Sequence, residues 1–397
     1  MNILHVISSR GWGGAENSAV YLAKTQIEKG NSAFFFIHSF NDKLINILKT
    51  NGVNFYSAFN PERKNIYALN KIIKICRENK IDIIHTHLGT GSYLGVLAGN
   101  FLKIPVVSTI NIFSGYHYYA LADALCFDSN AVKDYHMKYF STPEYLEYKP
   151  NLIESAVNKI FKLSYKTVNN LEELKNKSHV VYERIDESHF INYKDRLNEF
   201  DNYFNIGMTG RIDEQKGQIY FIEAAELLIK EYRNNSNVKS KVKPLMFHIV
   251  GSGKTENNLK RITKNKGIAE NFRFWGYQKD VRKFVNTFDV CVSCSLNEPF
   301  GINNLEYMFM KKPCIAASSG GIPEVFGDTN ILITPKDPFK LKEAIKIYIE
   351  NENYKNEQAS KGFERAKKVF SSDISYKKIM DVYGEVLDNQ KSKFAYR

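Results

Sequence analysis

The chain alternates, twice over, between short uninterrupted apolar runs and segments of helical period, and few folds accept that pattern. Ile3–Ile7, Ala33–Ile37, Ile81–His85, Pro105–Ile110 and Ala124–Asp128 read as strands. Between them Ala19, Leu22, Ala23 and Ile27 mark one helix, and Asn65–Asn79 and Ser92–Phe101 two more. Runs without polar alternation belong to strands covered on both faces, the condition of a parallel sheet between helical layers. After an irregular, polar connector over 164–178 the pattern restarts. Strands are expected at Phe204–Thr209, Leu245–Val250, Phe272–Phe274, Val290–Ser293 and Cys314–Ala317. Helices are expected at Gly217–Tyr232, Val281–Phe288, Gly301–Met310 and Phe339–Glu350, with a last helix near Ile374–Leu387 that no strand follows. The fold class is therefore α/β, with two doubly wound domains facing one cleft. The first spans 1–195 with 374–397 returning to it, and the second spans 196–373.

With 397 residues, 43% hydrophobic and 25% charged, the chain can bury a large core, which excludes a disordered or fibrous protein. Its net charge of +12, spread over both halves, points to an anionic partner. Nucleic acid is one candidate, but no helix-turn-helix, RNP or zinc pattern supports it. Five scattered cysteines argue against a disulfide framework. No apolar run approaches the roughly 18 residues of a membrane span, and the N-terminus lacks a charged segment before its short apolar stretch. The expected location is the cytoplasm or the cytoplasmic face of a membrane.

The loops after the strands carry the chemistry. Gly11-Trp12-Gly13-Gly14-Ala15-Glu16 lies between strand and helix, but a dinucleotide fingerprint would place a third glycine where Glu16 stands and an acidic residue after Ile37. Gly13 and Gly14 still allow a phosphate close to backbone at a helix start. Gly251-Ser-Gly-Lys-Thr255 lacks the first glycine of a P-loop, since His248 occupies that place. Cys291 and Cys294 have metal-ligand spacing but no second pair, and read as buried strand residues. His85 and His87 share one face of a strand; a metal there needs a third ligand that spacing does not supply, and the alternative is a polar pair lining the cleft. Gly210–Gly217 places Arg211 and Lys216 on one loop before a helix, a pattern suited to a diphosphate and equally met in solvated charged loops. In Glu298-Pro-Phe-Gly-Ile-Asn-Asn-Leu-Glu306 one carboxylate precedes a helix and the other lies about a turn and a half into it, so hydroxyls and phosphate can be held together. Gly320-Gly-Ile-Pro-Glu324 follows at the same edge.

Together these segments resemble the family-4 glycosyltransferases, retaining enzymes of the GT-B fold (two facing Rossmann-like domains with a C-terminal crossover helix). Gly11–Glu16, Asp82–Gly89, His179–Phe190, Gly210–Gly217, Val250–Lys254, Phe274–Asp280, Glu298–Glu306 and Gly320–Glu324 match in the family's order. The resemblance implies a nucleotide-sugar co-substrate, a UDP- or GDP-sugar, held mainly by the second domain without cofactor or metal. Arg211 and Lys216 would hold the diphosphate and neutralise the leaving group. Glu298 would contact sugar hydroxyls and Glu306 the ribose. Backbone around Phe300, Gly301, Ile302 and Asn303 would bind sugar or phosphate, Gly251, Gly276 and Tyr277 would edge the nucleotide, and Gly13 and Gly14 would approach from the first domain. Retention without a nucleophile implies front-face attack, the departing phosphate helping to deprotonate the acceptor.

One departure matters. The family often carries a histidine two residues after the threonine of its TxH segment, and here Asn111 stands there. A neutral amide can hydrogen-bond a hydroxyl but takes no proton; either His87 or His117 assumes the role, or the role is dispensable. On the acceptor side Phe113, Tyr116 and His117 offer rings for a sugar, alongside His87. The expected acceptor is a lipid-linked or glycan chain in cell-surface polysaccharide or lipopolysaccharide biosynthesis of bacterial type. Lys71, Lys74, Arg77 and Lys80 share a helix with Ile72, Ile73 and Ile75, which either rests on an anionic membrane or turns its apolar stripe to the sheet. The competing reading is a non-catalytic nucleotide-sugar or glycan-binding protein of the same fold.

Overall fold

The computed structural model describes residues 1–59, 61, 65–149, 152–160, 170–234 and 243–395. Two compact units result: Met1–Ile185 with Ser372–Arg397, and Asp186–Ser371. The division thus falls between Ile185 and Asp186 rather than after residue 195. The intervening segment belongs to the second unit because its backbone is tied there: Leu197 N–H donates to the Thr287 hydroxyl at 2.8 Å, and Asn286 and Arg282 donate to the carbonyls of Asp195 and His189.

The first unit holds seven parallel strands: β1 (Asn2–Ile7), β2 (Ser32–His38), β3 (Asn54–Ala58), β4 (Ile83–His87), β5 (Val106–Ile110), β6 (Ala124–Phe127) and β7 (Ser178–Val180). Their order is β3-β2-β1-β4-β5-β6-β7. The order reverses between β1 and β4, which makes that pair the topological switch point. Both faces are covered. The Ile66–Glu78 helix buries Ile72, Ile73 and Ile75 against one of them, so its apolar stripe is used by the core. The final helix, Ser372–Ala395, packs Ile379, Val382, Tyr383 and Val386 against Ile3, Ile83, Val107 and Cys126.

The second unit repeats the plan with β8 (Phe204–Thr209), β9 (Leu245–Val250), β10 (Phe272–Phe274), β11 (Val290–Ser293), β12 (Cys314–Ala317) and β13 (Ile331–Ile333), in the order β10-β9-β8-β11-β12-β13. Its switch point lies between β8 and β11. The sequence reading misses β3, β7 and β13, which are outermost strands, short or half-buried, and so lack the continuous apolar run that marks a central strand. Part of the expected irregular connector lies outside the described residues; the rest forms the Leu171–Asn176 helix and β7. β4 runs to His87 instead of stopping at His85, which draws His85 fully inside the sheet. Cys291 and Cys294 are buried thiols, and burial pushes Cys294 up to about 12.

Candidate functional site

In the second unit the loops at the switch point are locked by backbone before any side chain is placed. Thr209, last in β8, meets the Tyr307 hydroxyl at 2.8 Å through both its N–H and its own hydroxyl. Asp213 caps the turn Glu214–Lys216, accepting the Lys216 N–H at 3.1 Å. Gly217 then takes a left-handed φ of 68°, where any side chain would strike the Cys294 carbonyl. This geometry carries Lys216 across the switch point, and its Nζ lies 2.5 Å from Glu298 Oε2. Both side chains are mostly buried, 22% and 13% exposed, so the pair is worth more than a surface ion pair. Arg211, by contrast, is 65% exposed and turned onto Asp213. Asp213, which the sequence reading passed over, therefore shapes both cations.

Glu298 is fixed through its own backbone. Its carbonyl accepts the Gly321 N–H at 2.9 Å, and Gly320, at φ 54°, packs its α-carbon against the same oxygen. The two glycine-bearing loops after β11 and β12 thus form one rigid rim. Gly301, at φ 100°, opens the Ile302–Phe309 helix, and Asn303 Nδ2 reaches the Thr209 carbonyl at 3.3 Å. The Phe300 side chain is buried, its ring 5.6 Å from that of Phe370, leaving backbone as what this residue can offer a ligand. Glu306 is partly buried, its carboxyl has no hydrogen-bond partner among the described residues, and burial pushes that carboxyl up to about 7. Nearby Asn304, fully buried, leaves both side-chain amide atoms unpaired among the described residues. Gly251 and Gly276 join through a 2.8 Å backbone bond, with the Tyr277 ring exposed next to them. Cationic heads, a paired carboxylate, a helix start and a glycine-lined rim suit a diphosphate carrying hydroxylated groups.

The first unit ends its strands differently. Gly13 caps the Gly14–Glu28 helix, but its N–H is already taken by Glu16 Oε2 at 2.8 Å, and Ser9 binds the other carboxylate oxygen. The residue that departs from the dinucleotide fingerprint is thus a structural cap, and a phosphate at this helix start would face its charge. His87 and His85 stack with ring centroids 4.3 Å apart. The third imidazole that spacing could not supply is His5, which β1–β4 pairing sets opposite His85. Nitrogens of the three approach within 4.8 Å, a spacing open to a metal. They are also engaged with one another, with Gln26, with Thr109 and with Tyr383. Burial holds all three neutral, His5 at about 4 and the other two well below the ordinary histidine value. Asn111 donates from Nδ2 to Glu183 Oε1 at 3.3 Å, and its Oδ1 has no partner among the described residues. Glu183 and Arg184 are both buried; desolvation raises the acid and lowers the base. Phe113 packs edge-on to Tyr135, Tyr116 stacks on Tyr118 at 5.2 Å, and His117 lies 3.6 Å over Tyr148, so these rings are packed with one another more than presented singly.

Lys216, Glu298, Gly301, Asn303 and the Gly251–Gly276 bridge are thus placed together within the second unit. Sequence reasoning missed Asp213, Asn304, Glu183, His5, Gln26 and Tyr383. The last three lie far apart in the chain, and only strand order and the returning helix bring them into contact.

Comparison with known proteins agrees with this layout. Residues 190–365 match the family model "Glycosyl transferases group 1", and residues 12–156 match "Glycosyltransferase Family 4". An uncharacterized glycosyltransferase of Methanocaldococcus jannaschii is 27% identical over 331 residues, covering 82% of this chain and 80% of its own. The Escherichia coli UDP-Gal:alpha-D-GlcNAc-diphosphoundecaprenol alpha-1,3-galactosyltransferase is 25% identical over 271 residues, 65% of this chain and 63% of that one. Among solved structures, Anabaena Alr3699/HepE in complex with UDP superposes with a TM-score of 0.75 at 17% identity, covering 97% of this chain and all of that one, and so shares the fold.

Proposed function

We propose, since this chain belongs to the group 1 and family-4 glycosyltransferases, that it moves a sugar from a UDP- or GDP-sugar to a lipid-linked or glycan acceptor, with retention of anomeric configuration. The observation that carries the reading is the Lys216–Glu298 pair across the second unit's switch point, flanked by Arg211 and the Gly301 helix start. Lys216 and Arg211 hold the diphosphate, and their charge offsets the charge that grows on it as the bond from the anomeric carbon breaks. Glu298, released from Lys216 by the phosphate, takes sugar hydroxyls. Glu306 accepts from the ribose; its protonation near neutral pH lets it meet a diol as either acceptor or donor. The acceptor hydroxyl attacks the same face from which the diphosphate leaves, and its proton passes to a departing phosphate oxygen. Of the two donor classes, a UDP-sugar is supported by the UDP in the Anabaena structure and the UDP-Gal in the name of the Escherichia coli relative, whose diphosphoundecaprenol substrate also supports a lipid-linked acceptor and a place in surface-polysaccharide synthesis.

The test is turnover against a panel of UDP-, GDP- and ADP-sugars with mixed lipid-linked and glycan acceptors. The expected result is nucleoside diphosphate release with at least one donor and sugar transfer to an acceptor. Tight donor binding without release would favour a non-catalytic binding protein, and neither binding nor release would end the proposal.

A further inference from the structure

The histidine cluster of the first unit is ordered proton by proton. Gln26 presents Oε1 to His5 Nε2 at 2.9 Å and spends its Nε2 on the Tyr383 hydroxyl at 3.3 Å. An amide oxygen only accepts, so His5 carries its proton on Nε2 and leaves Nδ1 bare. His87 Nε2 lies 3.0 Å from that bare nitrogen and must donate to it. A neutral imidazole has one N–H, so Nδ1 of His87 carries none. Burial prevents a second proton from settling there. On the other branch, Tyr383, having accepted from Gln26, donates to His85 Nδ1 at 2.6 Å, and His85 Nε2 then donates to Thr109 Oγ1 at 2.7 Å. The protons between these groups are thereby assigned: one branch closes on the Thr109 hydroxyl, and the other ends on His87 Nδ1, which has no partner among the described residues.

The position of that nitrogen matters. His87 closes β4 at the switch point, where open α/β sheets receive their ligands. On the neighbouring strand β5, Thr109 pairs with His87, and two residues on Asn111 keeps a second unpaired acceptor, Oδ1, because Glu183 has taken its amide N–H. Two acceptors at adjacent strand ends call for hydrogen-bond donors, and because the buried Arg184 guanidinium already stands by the histidines, a second cation is disfavoured there and hydroxyl groups are favoured.

We propose that Gln26, His5 and Tyr383 form a positioning relay that fixes His87 as its Nε2–H tautomer, and that the bare Nδ1 of His87 accepts a hydroxyl of a sugar substrate, with Asn111 Oδ1 accepting another. The ligand half rests on the glycosyltransferase reading; the relay rests on the geometry and burial of the cluster. Because the imidazole sits where an imidazolium is costly, His87 orients the hydroxyl and does not carry off its proton.

Long-range proton–nitrogen NMR of the full chain labelled with nitrogen-15 reads the relay directly, with His87→Gln used for assignment. His87 Nδ1 is expected at the shift of an unprotonated ring nitrogen, unchanged between about pH 6 and 8. Gln26→Leu should move it toward a tautomer average, and Gln26→Glu, which keeps an acceptor for His5 Nε2 but gives up the donation to Tyr383, should restore it. A proton found on His87 Nδ1 in the unaltered chain, or one equivalent of zinc bound by the purified protein, would overturn the relay. For the ligand half, UDP-glucose is added to the same sample and should displace the His87 Nδ1 resonance; no displacement by it or by methyl α-glucopyranoside would overturn that half. Kinetics separate the two ring nitrogens, since Asn mimics Nδ1 and Gln mimics Nε2. With the donor that turns over, His87→Asn should keep KM within about threefold while His87→Gln raises KM about tenfold, one hydrogen bond's worth. Equal effects would also overturn the ligand half. Should no nucleotide sugar turn over, the glycosyltransferase reading fails while the tautomer result stands.

Discussion

The two units share one sheet plan and end their strands with opposite chemistry. Each places its first strand beside its fourth, and each sets its distinctive residues where those two strands finish. In the second unit that edge is ionic, partly open and built on left-handed glycines: Lys216, Arg211 and Glu298 over the rim of Gly217, Gly301 and Gly320. In the first its acceptors are neutral and buried: His87 and Asn111, backed by His5 and Gln26, with the Glu183 and Arg184 pair behind them. The sheet therefore supplies the place, and loop composition decides whether it receives a charged or an uncharged group. On the proposed function the ionic edge acts on charge that develops during reaction and the neutral one through orientation, so the consequences of substitution should differ.

The largest contrast is in rate. If Lys216 holds the diphosphate as proposed, Lys216→Ala should lower kcat/KM by roughly a hundred- to thousandfold, as loss of one preorganised electrostatic partner does. Asn111→Ala removes a neutral hydrogen bond and should cost only about tenfold. Steady-state nucleoside diphosphate release measures both, and equal losses would erase the division between an ionic and a neutral edge.

Backbone gives the next contrast. At Gly320 the φ of 54° and the Glu298 carbonyl leave no room for a methyl group, so Gly320→Ala should destabilise the second unit by about 3 kcal/mol. Gly13 has an extended φ of −153°, and a Cβ there would meet only Glu16 Oε2 at 3.4 Å. Gly13→Ala should cost less than about 1 kcal/mol. Urea unfolding followed by circular dichroism compares them; a tolerated Gly320→Ala would mean that the rim yields.

Acid and base then pull the two edges in opposite directions. Glu306 has its folded value raised from 4.5 to about 7, so its contribution is fully present below pH 4.5 and is lost as pH rises through 7, a span of order 3 kcal/mol. Glu306→Gln should flatten that fall. His5 is depressed from 6.5 to about 4, with His85 and His87 lowered as well; their contribution is present above pH 6.5 and is lost as pH falls toward 4. Trp12 and Trp275 give each unit its own fluorophore, so tryptophan-resolved unfolding between about pH 4.5 and 7 should show the first unit gaining and Glu306 withdrawing stability as pH rises. A Glu306→Gln profile parallel to that of the unaltered chain would remove Glu306 from this account.

How much of this the chain discloses by inspection follows from how local each feature is. Phe204–Thr209, Leu245–Val250 and Cys314–Ala317 are found to the residue because central strands must be apolar throughout. The edge strand β13, three residues long and half-buried, leaves no such mark, whereas the equally short edge strand β10 is marked by its two phenylalanines. Lys216 and Glu298 are legible because each lies in a loop whose glycines and following helix advertise a turn at a strand end. That they touch, and that Asp213 draws Arg211 aside, depends on side-chain reach that spacing does not encode. The relay is the least legible feature. His5, Gln26, His85 and Tyr383 come from the first strand, the first helix, the fourth strand and the last helix, and each alone is an unremarkable residue in an apolar element.

The smallest predicted effect compares two histidine chains of the same kind. In the second unit Trp275 Nε1–H donates to His248 Nδ1 at 3.2 Å, so His248 Nε2–H must donate to Asn205 Oδ1 at 3.0 Å; the Asn205 amide in turn serves the carbonyls of Phe200 and Tyr203. That chain closes on backbone, away from the switch point, with every group paired. The chain in the first unit stays open at His87 Nδ1. A closed chain contributes only to folding, whereas an open one keeps a contact in reserve. Trp275→Phe should therefore cost the second unit about 1 kcal/mol in urea unfolding and leave KM unchanged, since a buried neutral hydrogen bond has a net worth near that size. His87→Gln, which keeps the bond to His5, should change KM and leave the unfolding midpoint of the first unit within error. If Trp275→Phe altered KM, or His87→Gln altered only stability, the two chains would not differ in kind, and the open end at His87 would be an accident of packing.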